Sequence, residues 1–293
     1  MNIVASRKIY FTCSAILILV SIFALVFWGL KLGIDFTGGS LLEIEFKNER
    51  LSNQESQDKL ANMELGNINI QPTEEKSMII RLKDVNEETH QAILEKIGKD
   101  QIEEKRFESI GPVIGQELKR KAIWAIVIAL IAIVIYIAWA FRKVSKPVAS
   151  WRYGVVSVAA LFHDILIVAG LFAILGKFME IEIGLPFVAA LLTILGYSVN
   201  NTIVIFDRTR ENLLKSDWNN FEEVLNQSIL QSARRCINTA LTTLFVLLAI
   251  YFFGGQTIKY FILALIAGIV IGTYSSMFIA NPLIAVWSKR LKK

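Results

Sequence analysis

The chain has 293 residues, 54% of them hydrophobic, with a mean hydropathy of +0.50 and a formal net charge of +5. That is too apolar for an ordinary soluble domain, and the apolar residues are gathered into long unbroken runs. Cys13 and Cys236 lie in or beside such runs, with neither a disulfide framework nor a metal-ligand spacing, and the positive charge is distributed as a topology signal rather than as a nucleic-acid patch.

A hydrocarbon core of about 30 Å takes about 20 helical residues to cross. Six runs reach that length: residues 10–32, 122–141, 153–175, 185–206, 236–253 and 260–287. The first follows Arg7 and Lys8, as a secretory signal would. Its apolar stretch is too long for a signal core and has no small-x-small cleavage site, so it is expected to stay as a membrane anchor.

Residues 33–121 read as a folded domain, with residues 1–32 before it and 122–293 after it as the membrane part. Within it, 41–46 alternates like a strand, 52–63 looks helical and starts at a good capping residue, and 67–71 and 77–82 are short strands divided by a turn at Pro72. A second helix over 87–97 and a strand over 102–110 complete a β-α-β-β-α-β order, the ferredoxin-like α+β pattern. His90, the domain's one histidine, lies on a polar helix and is expected to be a solvated surface residue. The pair Gly38-Gly39 suits a backbone turn where the chain leaves the membrane. Gly176-Lys177 is not followed by Ser or Thr, so no phosphate-cradling loop, cofactor site or metal site is expected; an ATPase or soluble-type hydrolase is disfavoured.

Lys and Arg crowd alternate loops. Arg7 and Lys8 precede the first run, Arg142, Lys143, Lys146 and Arg152 separate the second from the third, and Lys289, Arg290, Lys292 and Lys293 end the chain. The opposite loops are poor, with Lys177 against Glu180 and Glu182, and little beyond Lys259 in the last. Both termini and the loop 207–235 are therefore expected in the cytoplasm, and 33–121 outside. That segment is slightly acidic, with 18 Asp and Glu against 14 Lys and Arg from Lys31 to Lys121.

Polar groups inside the runs are costly in lipid and usually face a bundle interior. Asp164, beside His163, lies at the centre of the third run. Tyr197, Ser198, Asn200, Asn201 and Thr202 crowd the fourth, before Asp207, Arg208, Arg210 and Glu211 at its exit. From Arg235 a polar stripe passes through Asn238, Thr239 and Thr242 on one helical face. Arg208, Arg210 and Arg234 read first as positive-inside anchors, whereas Asp164, Asn201 and Arg235 suit a buried polar network, which either moves ions or only holds helices together. In the sixth run Ala264, Gly268, Gly272, Ser276 and Ala280 form a small-residue seam for close helix approach. Trp218, Phe221, Val224 and Leu225 give 217–229 an apolar face, suiting a helix lying at the cytoplasmic interface.

Several stretches resemble one family. Gly33-Ile34-Asp35-Phe36-Thr37-Gly38-Gly39 is similar to the opening of the outside domain in the SecD/SecF protein-export family, and Gly111-Pro112-Val113-Ile114-Gly115-Gln116-Glu117-Leu118 to its re-entry segment. The stretch from Gly196-Tyr197-Ser198-Val199-Asn200-Asn201 through Asp207-Arg208-Thr209-Arg210-Glu211-Asn212 resembles the family's most distinctive motif, and 235–243 and Phe253-Gly254-Gly255 complete the pattern. The resemblance covers essentially the whole chain, and a length near 300 with one small outside domain favours the SecF type over the longer SecD. It implies a multi-pass subunit of the bacterial inner membrane that pairs with a SecD-like subunit, in an assembly related to resistance-nodulation-division transporters. Such a pair works beside the SecYEG channel and uses a proton or sodium gradient to draw unfolded exported polypeptides outward. The family's proton relay is assigned to an Asp in the fourth-span motif and an Arg at the start of the fifth. The Arg position matches Arg235; the Asp position carries Asn201, which cannot exchange a proton near neutral pH. Coupling through Asp164, coupling through the partner's acid, and an inactivated chain all remain open, as do a small-molecule or lipid exporter and a non-transporting scaffold.

Overall fold

The computed structural model describes residues 2–73, 75–140, 150–215 and 220–289. Arg142, Lys143, Lys146, Arg290, Lys292 and Lys293, expected to mark two basic segments, and Trp218 lie outside the described residues. The chain divides into two compact units, Met1–Lys31 with Trp124–Lys293 and Leu32–Ile123.

The smaller unit opens on the short helix α2 (Ile34–Thr37) and continues through β1 (Gly39–Phe46), α3 (Asn53–Leu60), β2 (Asn69–Pro72), β3 (Ser77–Leu82), α4 (Glu87–Ile97) and β4 (Ile102–Ile110). The strands form one antiparallel sheet in the order β2-β3-β1-β4, which is the ferredoxin-like arrangement that the element order predicts. Period-two alternation turns Leu42, Ile44 and Phe46 of β1 and Met78, Ile80 and Leu82 of β3 to the helix side, where they meet Leu60, Ile93, Leu94 and Ile97. Burying each such side chain contributes about 1.5–3 kcal/mol. Ser52 and Glu55 form a reciprocal capping box on α3, and Asn86 caps α4 by accepting from the Thr89 N–H at 3.0 Å. Gly38 and Gly39 stand at φ 74° and 126°, the left-handed region, and a Cβ on Gly38 would lie 2.7 Å from the Pro112 Cα. These two positions therefore let β1 start tight against Pro112.

His90 departs from expectation. It is 3% exposed, stacks on Phe107 at a centroid distance of 3.7 Å, and lies within 3.4 Å of both Glu87 and Glu104. The reason is helical period: His90, Ile93, Leu94 and Ile97 share the face that α4 turns to the sheet.

The larger unit contains α1 (Arg7–Phe27), most of α5 (Pro112–Ala140), α6 (Ser150–Met179), α7 (Leu185–Lys215), α8 (Phe221–Phe253) and α9 (Gln256–Ser275). After α9 the chain runs through a π turn, Ser276–Ala280, into α10 (Asn281–Lys289), which extends the sixth span to Ser288. Among the described residues, six helices are thus long and apolar enough to cross a membrane. The α1 helix lies along α6, and α7 lies against α8 and α9. The surfaces of α1 and α5 keep Val26, Phe27, Ile128 and Ile135 exposed, as suits hydrocarbon or further helices.

Of the expected interfacial helix over 217–229, residues 217–219 lie outside the described residues and 221–229 belong to α8 (Phe221–Phe253). Phe221 begins α8 itself, and Phe221, Val224, Leu225 and Ile229 are buried in the same core as Phe206 and Leu213 of α7. An apolar stripe looks the same on a membrane surface as on another helix; here α7 continues past the apolar run to meet it.

Candidate functional site

Midway along α6, about 20 Å of helix from either end, His163 and Asp164 are both buried, Asp164 completely. His163 Nδ1 meets Asp164 Oδ1 at 2.9 Å. The other carboxylate oxygen, Oδ2, accepts from Ser198 Oγ of α7 at 2.5 Å and from Ser275 Oγ of α9 at 2.8 Å. On its far side the imidazole Nε2 meets Ser14 Oγ of α1 at 3.0 Å. Ser14 is 3.5 Å from the Tyr274 hydroxyl, which donates to the Tyr10 carbonyl at 3.0 Å. Four helices converge on one acid and one imidazole. An unpaired Asp at the middle of a span costs about 2.5–3.5 kcal/mol on insertion scales; this one has a hydrogen-bond partner at each oxygen.

The small-residue seam brings α9 close enough to reach it. A Cβ on Gly272 would lie 2.9 Å from Ser198 Cβ and 3.5 Å from Asp164 Oδ2, and all five seam residues are buried. One turn along, Ser276 Oγ donates to the Gly272 carbonyl at 2.7 Å and lies 3.1 Å from the Ser198 carbonyl, and Thr202 Oγ1 donates to Ser276 Oγ at 2.9 Å. The π turn starts at Ser276, whose carbonyl accepts from Asn281 Nδ2 at 2.6 Å.

Asn201 is buried beside this cluster but belongs to its own contact, an Nδ2 donation to Thr273 Oγ1 at 3.4 Å. The half-buried Tyr197 turns its hydroxyl toward Thr243, Asn201 and Thr273. Arg235 differs from expectation: it is exposed in this chain and outside the network, as are Asn238, Thr239 and Thr242. Thr239 and Thr242 donate to carbonyls of their own helix. The stripe does share one face of α8, but that face points away from the bundle. Asn200 and Gly196 are exposed on α7, as is Asp207, while Arg208 bonds Gln231 at 2.6 Å and Glu211 at 2.5 Å. Asp35 is half-buried in the first turn of α2. Among the described residues no group of His, Cys, Asp and Glu is arranged to hold a metal ion. The sequence reading missed Ser14, Thr273, Tyr274 and Ser275; Ser14 carries no signal, since an isolated serine in an apolar run does not say which helix it faces.

The family model "Protein export membrane protein SecD/SecF, C-terminal" matches residues 89–290, and the SecD/SecF GG motif matches 23–49, around Gly38 and Gly39. A protein translocase subunit SecF of Thermobaculum terrenum is 42% identical, the alignment covering 99% of this chain and 94% of that protein. The SecF of a Synechocystis species is 38% identical over 94% of this chain and 90% of its own. The solved structure of SecDF, a translocon-associated membrane protein from Thermus thermophilus, superposes with a TM-score of 0.84 at 31% identity, over 99% of this chain and 39% of that one. A second SecDF structure, in a super-membrane-facing form, gives 0.70. With a matching model over most of its length and relatives above 30% identity along nearly all of it, the chain belongs to the SecD/SecF family of protein-export membrane proteins, on its SecF side.

Proposed function

We propose that the chain is an accessory subunit of the Sec translocase, a multi-pass protein of the bacterial inner membrane that works with a SecD-like subunit beside the SecYEG channel. It uses the proton-motive force, and not a nucleotide, to help draw unfolded polypeptides across. Both termini lie in the cytoplasm, and the sheet domain lies outside, where the emerging chain arrives. The observation that carries gradient use is Asp164: a packing interface alone has no need of a carboxylate and an imidazole at the middle of a span. Two further features support a partner. The solved relative is longer, with this chain matching 39% of it. The face of α8 bearing Arg235, Asn238 and Thr239 is exposed in this chain, and such groups are expensive against lipid.

Purification from native membranes should co-isolate a SecD-like subunit and the channel, and vesicles depleted of the chain should lose the gradient-stimulated part of preprotein export. Isolation of the chain alone, with export unchanged by depletion, would remove the proposal. A scaffold role without ion movement is favoured by the buried neutral amide of Asn201. It predicts that depletion lowers channel abundance while the gradient response per channel stays constant.

A further inference from the structure

From the contacts around His163 we infer that His163 and Asp164 form a proton-binding site holding one exchangeable proton, with the Ser14 hydroxyl as its rotating relay. The charge count comes first. With one proton shared, the pair is net neutral, whether written imidazolium and carboxylate or imidazole and carboxylic acid. Without it, the centre of the bundle holds a bare negative charge, which burial disfavours. The interiors of the helices around the pair carry no other charge to balance it. Between Lys8 and Lys31 on the first span, before Asp207 on α7, and after Lys259 until Lys289 on the sixth span the sequence has none, and α6 itself has only Arg152 and Lys177 toward its ends. Apart from the charged residues at their ends, Arg7 and Lys8 of α1, Asp207 to Lys215 of α7 and Lys259 of α9, the titratable groups on the helices packed against the pair are Tyr10 and Cys13 of α1, Tyr197 of α7, and Tyr260 and Tyr274 of α9.

Hydrogen bonds are complete in both protonation states. When the imidazole is neutral, Nδ1–H donates to Asp164 Oδ1 and Nε2 accepts from the Ser14 hydroxyl. When a proton arrives on Nε2, that N–H donates to Ser14 Oγ, and the serine hydrogen turns to the Tyr274 oxygen, which keeps its own bond to Tyr10. One hydroxyl rotation accommodates the proton, and no donor or acceptor is orphaned. Release requires that water replace the neutralising proton.

The inference rests on the translocase reading only for the use made of the proton, so binding and export are tested separately. The chain has two histidines, and His90→Gln, in the sheet domain, leaves one imidazole for 15N resonance measurements on the purified chain in lipid nanodiscs. His163 is expected to titrate between neutral and protonated forms. Asp164→Asn should lower the protonated fraction of that imidazole at a given pH, because the carboxylate no longer supports the cation. Ser14→Ala, a smaller change that keeps the pair, should move it the same way and carries the test if Asp164→Asn does not stay folded. A single charge state from about pH 5 to about pH 9 in the parent and both variants would make the cluster a helix clamp and overturn the site. A signal that follows sodium concentration at fixed pH would overturn its assignment to a proton. A normal titration combined with unchanged gradient-driven export in Asp164→Asn vesicles would uphold the site and remove gradient use from the proposed function.

Discussion

Thr273 Oγ1 gives its hydrogen to the Ile269 carbonyl, so toward Asn201 it presents lone pairs, and the Asn201 amide donates to them. A carboxylate in that place has no hydrogen to give. Asn201→Asp should therefore lower the stability of the chain by about 1–3 kcal/mol, the cost of a buried polar group that loses its partner. Thermal unfolding in detergent reads this. The same change should leave gradient-driven export in vesicles at the parent rate, while Asp164→Asn abolishes its gradient dependence; restored or raised export in Asn201→Asp would instead return the ionisable role to the fourth-span motif. Arg235 makes a contrasting case. Being exposed, it should tolerate Arg235→Ala within about 0.5 kcal/mol in the isolated chain, as surface positions do. Co-isolation of the SecD-like subunit and gradient-stimulated export should both fall, a split that simple charge anchoring does not produce, because Arg234 is next to it.

Helix packing decides which of these residues meet. The seam on α9 was legible because small residues recur every four positions, and its consequence is steric: Gly272→Ala places a methyl group against Ser198 and should cost about 1–3 kcal/mol by overpacking. Gly196→Ala, with nothing within 4 Å of the added carbon in this chain, should not lower the unfolding temperature. Equal effects at the two glycines would contradict the seam. In the sheet domain the helix caps give a pH dependence. The Glu55 carboxyl is held below its ordinary 4.5 chiefly by the Ser52 backbone N–H, and Glu87 by Gln91 and then His90. A carboxylate depressed in the folded state stabilises above its unfolded value and loses that contribution as pH falls through the folded one. Amides in the first turns of α3 and α4 should accordingly exchange faster below pH 4.5 than the β1 and β3 amides do; uniform exchange across the domain would discount the caps. The strands and both helices of this domain were readable from alternation and capping residues alone. The burial of His90 was equally present in the sequence, in its spacing to Ile93, Leu94 and Ile97, but a polar helix hides a narrow buried stripe. What the sequence does not contain is partner choice between helices. Period shows that Arg235, Asn238 and Thr239 share a face, not that the face turns outward, and it shows the apolar side of Phe221 and Leu225 without saying that α7 covers it.

Across the whole chain, orientation fixes what each part can do. If the six helices long enough to span, counted among the described residues, all cross the membrane, an even number of crossings would put the two ends on one side and a domain between the first and second spans on the other. Two orientations satisfy this arithmetic, and the excess of Lys and Arg in the short loops favours the one with the ends in the cytoplasm. The same choice puts the capped helix α3 outside and the last turn of α7 inside. Asn53 on α3 and Lys215 on α7 are both exposed in the chain, so neither is shielded by its own fold. Cys13 and Cys236 would report as well, and Cys13 is exposed, so both are first replaced by serine. In that background Asn53→Cys should react with a membrane-impermeant thiol reagent in intact spheroplasts, and Lys215→Cys only after the membrane is opened. The reverse pattern would put the sheet domain in the cytoplasm. The domain could not then receive a polypeptide emerging on the outer side, and the proposed part in export would fall, although the packing around Asp164 would stand unchanged.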